Sequence, residues 1–185
     1  SSDVCSSDLA LFPRQGGRAP ELDNDDTLRW IGRFLGRIHA VGATGNFSHR
    51  PRIDLDSFGN DPAAFVIENG FVPDDLVDAY ESVVNDALDG VERCYERAGG
   101  IREIRLHGDC HAGNILWTDR GPHFVDLDDC RSGPAVQDLW MLLAGDARTM
   151  GRQMKTGLEG YREFNEFNPA ELALIEALRT LRMIH

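Results

Sequence analysis

The chain has 185 residues and a formal net charge of -12, and its 42% hydrophobic and 27% charged residues are typical of ordinary soluble globular proteins. This negative charge argues against a nucleic-acid partner, because binding phosphates over an extended surface requires clustered Lys and Arg. No apolar run approaches the ~20 residues of a membrane-spanning helix, so we expect no membrane partner and a cytoplasmic location, while the oligomeric state stays open.

The chain divides by composition into three parts. Residues 1–9 nearly repeat Ser-Ser-Asp and hold few apolar side chains, which is typical of a foreign or disordered segment. Residues 10–22 contain prolines and glycines, which favour a flexible crossover or hinge. Residues 23–185 carry regular apolar patterns, and we expect them to form one folded lobe.

The first half of this lobe is predicted to be helical. Apolar residues recur three and four positions apart over residues 23–42, which indicates an amphipathic helix. Residues 45–72 contain Pro51 and Pro62, and we expect an irregular segment there. A long second helix is predicted to open with Pro73 and to end at Gly99. Its apolar stripe is predicted to consist of Leu76, Tyr80, Val83, Ala87, Val91 and Cys94.

Short strands are predicted next. Residues 104–106 alternate in polarity, and residues 114–117 and 123–127 flank a turn sequence at 119–121, which together indicate a β-hairpin.

The chain is predicted to return to helices after the hairpin. These helices are expected at residues 135–143, 148–164 and 168–184. Asn168 is predicted to cap the last of them and Glu171, three residues later, to complete a capping box. This helix runs to the end of the chain without a cap, which favours a lobe truncated at that point.

Residues 107–114 carry the strongest chemical signal, with the sequence His-Gly-Asp-Cys-His-Ala-Gly-Asn. Asp109 and Asn114 have the Asp-x-x-x-x-Asn spacing of a kinase catalytic loop, and Asp126 follows at the end of an apolar strand predicted over residues 122–128. A carboxylate can receive the proton of an attacking hydroxyl, and amide and carboxylate oxygens can hold magnesium ions that bridge nucleotide phosphates. The pattern therefore predicts Asp109 as the proton acceptor, with Asn114 and Asp126 as metal ligands.

Other chemistries share parts of this pattern. His107 and His111 lie four positions apart beside Cys110, but the intervening glycines argue against the helix on which such a pair binds zinc. Residues 126–128 resemble the start of an aspartate-nucleophile phosphatase, yet they lie two-thirds of the way along the chain. Cys110 is expected to be a packed thiol, because nothing near it in sequence is basic enough to lower its pKa.

The sequence HGDxxxxN, followed by a strand that ends in VDLDD, resembles the aminoglycoside phosphotransferase and choline kinase superfamily. Residues 106–117 (LHGDCHAGNILW) and 124–143 (FVDLDDCRSGPAVQDLWMLL) are most similar to its bacterial serine/threonine protein kinases of the stress response. The resemblance implies an α+β fold: the mainly helical C-terminal lobe of a protein-kinase-like fold, with the N-terminal β-lobe largely absent.

The same resemblance implies the roles of individual residues. Asp109 and Asp126 would be the catalytic acids, and Asn114 and Asp126 the ligands of Mg²⁺. Asp138, in QDLW, would be the buried acid that supports the catalytic loop from below, and we expect His107 to order that loop. ATP would be the co-substrate, and we expect the acceptor to be a hydroxyl group of a protein Ser or Thr.

Some elements of such a kinase are missing from the sequence. The β-lobe that covers the phosphates and its strand lysine have no counterpart, because the single lysine, Lys155, lies downstream of the metal site. Gly16-Gly17 is not a glycine-rich loop between strands. We therefore expect a fragment that is inactive alone, with unknown nucleotide-binding residues. Two alternatives stay open: a small-molecule kinase acting on aminoglycosides, choline or sugars, and a non-catalytic interaction module.

Overall fold

The computed structural model describes residues 13–185; the segment predicted at residues 1–9 lies outside them. The described part is rich in helices and contains two small antiparallel sheets, as predicted for the lobe. The α-helices are α1 (Asp25–Gly42), α2 (Asp61–Glu68), α3 (Val77–Ala98), α4 (Val136–Trp140), α5 (Ala147–Tyr161) and α6 (Ile175–Ile184). The strands are β1 (Ile104–Leu106), β2 (Ile115–Thr118), β3 (Gly121–Phe124) and β4 (Arg131–Gly133).

Helices α1 and α5 pack so closely that their backbones touch. A Cβ atom on Gly32 would lie 2.0 Å from the carbonyl oxygen of Gly157, and one on Gly160 would lie 2.1 Å from that of Arg29. No side chain fits at such a distance, so glycine is required at both positions for the helices to approach. This contact fixes α1, the first predicted helix, against the later part of the lobe.

The prediction of an irregular segment at residues 45–72 was wrong in its second half. A π-helical turn, Asp56–Asn60, leads directly into α2. Pro62 lies in the first turn of α2, where its missing N–H removes no helical hydrogen bond and its fixed φ angle suits the helix. A proline that was interpreted as a breaker therefore starts a helix.

Helix α3 is confirmed, but its predicted apolar stripe is partly wrong. The buried side chains include Val84, Leu88 and Val91, whereas Val83 is 68% exposed and Leu76 is also exposed. Apolar residues occur in adjacent pairs at 83–84 and 87–88, so three- and four-residue spacing alone could not select the face that packs against the core.

The predicted hairpin is confirmed as β2 and β3, joined by Asp119 and Arg120, while β1 pairs with β4. Strand β3 ends at Phe124, so Asp126 lies in the following loop and not in the strand predicted over residues 122–128. The crossover segment runs beside the hairpin, since Arg18 and Trp117 exchange two backbone hydrogen bonds of 3.0 and 2.7 Å.

The C-terminal helical segment begins as predicted, but its capping box does not form. Asn168 caps a 3₁₀ turn, Pro169–Leu174, by accepting a hydrogen bond from the backbone of Ala170. The carboxylate of Glu171 instead accepts one at 2.9 Å from the backbone N–H of Val136, 35 residues away. Tertiary contact with the start of α4 therefore replaces the local cap.

The core lies where α6 meets α3 and α4 and where α1 meets α5. Its largest completely buried apolar side chains are Tyr161, Ile31, Leu35, Ile115, Leu174, Leu178 and Leu181. Within residues 13–185, none of the helices has both the length and the apolar character needed to cross a membrane.

Candidate active site

The catalytic loop predicted at residues 107–114 is held by the buried start of α4. Asp138 accepts hydrogen bonds from the backbone N–H of His107 at 2.8 Å and of Gly108 at 2.9 Å. Gln137 donates to the carbonyl oxygen of Gly108 at 3.1 Å. Gly108 has φ +87°, and a Cβ atom there would lie 2.1 Å from the carbonyl oxygen of Asp129, so only glycine fits. The loop backbone is therefore fixed from below by side chains of α4.

A chain of buried hydrogen bonds extends from Asp138 to α1 and α5. Asp138 Oδ2 also pairs with Nε2 of His39 at 2.9 Å, and Nδ1 of His39 pairs with the hydroxyl of Tyr161 at 3.0 Å. Asn165 in turn donates to that hydroxyl at 2.8 Å. If Nε2 of His39 carries the proton and the Tyr161 hydroxyl donates to Nδ1, both ring nitrogens of His39, the Tyr161 hydroxyl and Oδ2 of Asp138 all have hydrogen-bond partners.

Sequence reasoning missed His39 and Tyr161. One signal was present for His39, which follows Ile38 in an otherwise apolar part of the predicted first helix. A buried polar ring requires hydrogen-bond partners, so its position could have indicated a buried network.

Asp109 and Asn114 are brought together by the 3₁₀ turn Ala112–Asn114. The side-chain amide of Asn114 donates to the backbone oxygen of Asp109 at 2.9 Å and to its Oδ2 at 3.2 Å. The amide nitrogen is used in this way, and the amide oxygen is the other polar atom of the side chain. It accepts no hydrogen bond from residues 13–185 and is available to a cation.

The other carboxylate oxygen of Asp109 contacts a residue that sequence reasoning missed. Arg182, on α6, donates to Oδ1 of Asp109 at 2.6 Å. His111 lies on the other side, with Nε2 3.5 Å from Oδ2, while its Nδ1 accepts the backbone N–H of Gly113 at 2.9 Å. No motif could have located Arg182, because 73 residues separate it from Asp109 and only the packing of α6 brings them together.

Asp126 is placed next to the loop 107–114 because its neighbour, Val125, forms two hydrogen bonds with that loop. The N–H of Val125 donates to the carbonyl oxygen of Asn114 at 3.0 Å, and Nε2 of His107 donates to the carbonyl oxygen of Val125 at 2.9 Å. Asp126 itself has φ +63°, a left-handed conformation that few residues other than glycine adopt. Its exposed carboxylate forms no hydrogen bond or ion pair with residues 13–185.

The donor set of this site fits magnesium better than zinc. Across residues 13–185, no group of three or more His, Cys, Asp and Glu side chains is arranged to hold a metal ion. Magnesium needs less from the protein, since it retains water and binds one or two carboxylates together with substrate phosphates. Asn114 and Asp126 supply oxygens of this kind.

Cys110 does not behave as a metal ligand or a reactive thiol in this structure. Its side chain is completely buried, and this burial raises the pKa of the thiol well above its ordinary value, an effect that the nearby Asp138 and Asp109 reinforce. The neutral thiol is a poor nucleophile and a poor ligand. Packing accounts for Cys110, as the sequence predicted.

Comparison with known proteins places the sequence among phosphotransferases. The family model described as the phosphotransferase enzyme family matches residues 1–175. The chain is 46% identical over 177 residues to Stress response kinase A of Escherichia coli strain K12. The aligned region covers 96% of this chain and 53% of that protein. It is 44% identical over 176 residues to Serine/threonine protein kinase RdoA of Salmonella typhimurium, covering 95% and 53%.

These matches confirm the resemblance to bacterial stress-response kinases. The chain spans about half the length of the curated relatives that it matches.

Solved structures show the same fold at lower identity. An amicoumacin kinase, hAmiN, in complex with AMP-PNP, Ca²⁺ and Ami, has a TM-score of 0.69 and 21% identity, over 93% of this chain and 54% of that one. A spectinomycin phosphotransferase in complex with ADP and spectinomycin has a TM-score of 0.58 and 16% identity, over 94% and 56%. The kinase-like α+β fold predicted from the sequence is confirmed at this level.

Proposed function

This chain belongs to the phosphotransferase enzyme family, and on that premise we propose that it forms the larger, metal-binding lobe of an ATP- and magnesium-dependent kinase. We further propose that the acceptor is a Ser or Thr hydroxyl of a protein and that the kinase acts in a cytoplasmic stress response. The name of one relative, Serine/threonine protein kinase RdoA, supports this acceptor class, and the name of the other, Stress response kinase A, supports the role in a stress response.

One observation carries the proposal: Asp109 and Asn114 share one short loop, and a backbone hydrogen bond joins Asn114 to Val125, the residue before the second carboxylate, Asp126. Asn114 is bonded through its amide nitrogen to Asp109 and through its backbone oxygen to Val125, the residue before Asp126. Phosphoryl transfer requires a group that orients the attacking hydroxyl, and oxygen ligands for the ions that neutralise the phosphates. These three side chains supply both.

The proposed reaction gives each of these residues a role. The acceptor hydroxyl oxygen attacks the γ-phosphorus of ATP, its proton passes to the carboxylate of Asp109, and ADP leaves. Asn114 and Asp126 would hold magnesium, which neutralises phosphate charge when bound. Asp138 and His107 keep the loop in the geometry that this step needs, through their contacts with the loop backbone and with Val125.

The lysine of this chain is not placed to contact the phosphates. Lys155 lies on α5 and lines an apolar groove between α5 and the C-terminal helical segment, together with Trp140 and Met150. That groove includes none of the three proposed active-site side chains. We propose that the lysine and the lobe that cover ATP belong to the part of the relatives' length that this chain does not span, and that these 185 residues alone transfer no phosphate.

The test uses a protein in which this chain is joined to such a nucleotide-binding lobe. Asp109→Ala should lower phosphate transfer from ATP to a Ser/Thr protein acceptor by ~10²–10⁴-fold, the usual contribution of a positioned base. Asp119→Ala is the matched control, because it removes an exposed carboxylate from the hairpin turn nearby. Transfer by Asp109→Ala within about threefold of the Asp119→Ala rate would overturn the assignment.

The acceptor class requires its own comparison. The same enzyme is supplied in parallel with a Ser/Thr protein mixture and with aminoglycosides, choline and amino sugars, using radiolabelled ATP. We expect transfer to protein hydroxyls. Transfer to a small molecule alone would support the kinase assignment and contradict the proposal of a protein acceptor.

The isolated chain gives a further check of the two-lobe proposal. Calorimetry with ATP and magnesium should show little binding, because two oxygen ligands do not clamp the nucleotide phosphates. Micromolar binding together with phosphate transfer by these 185 residues would show that a residue within this chain replaces the missing lysine.

A further inference from the structure

We propose that Arg182 is a positioning residue for the reaction: its guanidinium holds Oδ1 of Asp109, so that Oδ2 is the oxygen that faces the acceptor hydroxyl. The inference rests on the proposed function, in which Asp109 receives the proton. It adds a residue of α6 to a site that the motif confines to residues 107–126. The contact itself is the 2.6 Å hydrogen bond from Nη2 of Arg182 to Oδ1.

The backbone of Arg182 is placed by core packing and not by the ion pair. Leu178 and Leu181, on the inner face of α6, are almost completely buried. The ring of His185 stacks on that of Phe58, with ring centroids 4.2 Å apart, and this holds the end of the helix. The guanidinium of Arg182 therefore reaches Asp109 from a helix whose position does not depend on the ion pair.

The two oxygens of Asp109 differ in their surroundings. Oδ1 receives a charged donor at 2.6 Å from Arg182, whereas the neighbours of Oδ2 are more distant: the amide nitrogen of Asn114 at 3.2 Å and Nε2 of His111 at 3.5 Å. Charge-assisted hydrogen bonds are the shorter and stronger kind. Arg182 thus occupies one oxygen and fixes the carboxylate plane, which leaves lone-pair capacity on Oδ2 for the acceptor proton.

Stability of the fold does not account for this contact. The side chains of Arg182 and Asp109 are 44% and 17% exposed, and ion pairs with such access to water contribute little to folding. Arg179, one turn earlier on α6, shows the ordinary alternative, since it pairs with Glu176 of its own helix. Arg182 instead reaches across to Asp109, the carboxylate that would receive the proton.

This arrangement also connects the base to the helices on one side of the site. Helix α6 packs against α3 and the π-helical turn Asp56–Asn60, so a displacement of either would move Arg182 and with it the carboxylate of Asp109. A misplacement of about 1 Å in a reacting group can lower a rate by ~10²-fold. Loss of Arg182 should therefore lower kcat more than it raises KM.

The experiment compares Arg182→Ala, Arg182→Lys and Arg179→Ala in the two-lobe protein, with kcat and the acceptor KM measured separately. Arg182→Ala should lose about 10- to 100-fold in kcat, and Arg179→Ala should keep the parent values within about twofold. Arg182→Lys should recover part of the loss, because it keeps the charge but not the planar donor pair. Guanidinium chloride at millimolar concentration should partly restore Arg182→Ala, which a general loss of structure would not allow.

Asp109→Ala, assayed beside these variants, separates the two proposals. Loss of transfer in Asp109→Ala with an unchanged kcat in Arg182→Ala would reject Arg182 as a positioning residue and keep the kinase site. An unaffected Asp109→Ala would reject the proposed function itself. An Arg182→Ala loss that neither lysine nor guanidinium relieves, with a lowered melting temperature, would assign Arg182 to folding and overturn the inference.

Discussion

Nε2 of His39 and Oδ2 of Asp138 lie 2.9 Å apart with both side chains fully buried, although 99 residues separate them in the chain. The same carboxylate accepts the backbone N–H groups of His107 and Gly108. Asp138 is therefore the point at which α1, α4 and the catalytic loop are joined. Its removal would leave three buried donors without an acceptor, and each such group is costly inside a protein.

Asp138→Ala should lower the free energy of unfolding by about 3 kcal/mol or more, because three buried donors lose their acceptor at a cost of ~1–3 kcal/mol each. Urea unfolding followed by circular dichroism measures this change. Asp86→Ala is the control, because it removes an exposed carboxylate on α3 that has no hydrogen-bond partner within residues 13–185, and it should stay within about 0.5 kcal/mol of the parent. Equal effects of the two changes would show that the buried network does not support the fold.

The contact between α1 and α5 predicts opposite outcomes for two glycines of the same helix. Gly160→Ala would place a Cβ atom 2.1 Å from the carbonyl oxygen of Arg29, so the helices must separate and stability should fall by about 1–3 kcal/mol or more. Gly157→Ala places its Cβ where no atom lies within 4 Å and should be neutral or stabilising by up to about 1 kcal/mol.

Thermal unfolding of the two glycine variants, side by side, measures the difference. Similar melting temperatures would mean that the helices are not in backbone contact at this point.

Glu171 predicts a dependence of stability on pH. Burial is the main influence on this carboxyl and raises its pKa, although the hydrogen bond from Val136 acts in the opposite direction. The folded state therefore binds the proton more readily than the unfolded state. The protonated Glu171 carboxyl therefore contributes stability that is fully present below the pKa of Glu171 in the unfolded chain. This contribution is lost as the pH rises through the higher pKa of Glu171 in the folded protein.

Glu171→Gln should remove this dependence, because glutamine keeps an oxygen for the N–H of Val136 and does not ionise. The difference in unfolding free energy, variant minus parent, should be larger at pH 7 than at pH 5, as measured by urea unfolding at both pH values. Glu92→Gln changes an exposed carboxyl of α3 and serves as the control. A variant that loses stability relative to the parent as pH rises would contradict the assignment.

The sequence predicted what is local in this protein. The spacing of Asp109 and Asn114 lies within one loop, so the motif alone predicted their proximity, and the cap at Asn168 followed from the residue type. The same local reasoning failed for Glu171, whose carboxylate bonds to Val136 of α4 and not to its own helix. The carboxylate accepts its hydrogen bond from the backbone of a distant residue, and not from the backbone of Asn168 as a capping box requires.

Contacts between distant elements could not be predicted in this way. His39 reaches Asp138 only because α1 packs against α5 and α4, and Arg182 reaches Asp109 only because Leu178 and Leu181 set the rotation of α6. Periodicity identifies the apolar face of a helix, but it does not say which other element covers that face.

The exposed carboxylate of Asp126 predicts a specific effect on metal use. Asp126→Asn should raise the magnesium concentration for half-maximal transfer by at least about tenfold in the two-lobe protein, because a charged ligand becomes a neutral one. Asparagine is the informative replacement, since the backbone here has φ +63° and Asn adopts this conformation more readily than Ala. Any loss is then attributable to charge and ligation and not to the loop.

Asp128→Asn separates ligation from a general effect of negative charge near the site. Asp128 is also exposed and lies two residues away, where its carbonyl oxygen accepts a hydrogen bond from Arg50. Water and salt screen the electrostatic attraction between a carboxylate and an ion that it does not bind directly. Asp128→Asn should therefore shift the magnesium requirement by less than about threefold. The requirement is measured by titrating magnesium at fixed ATP for both variants. Equal shifts would mean that Asp126 contributes charge alone, and an unchanged requirement in Asp126→Asn would mean that its carboxylate is not a ligand.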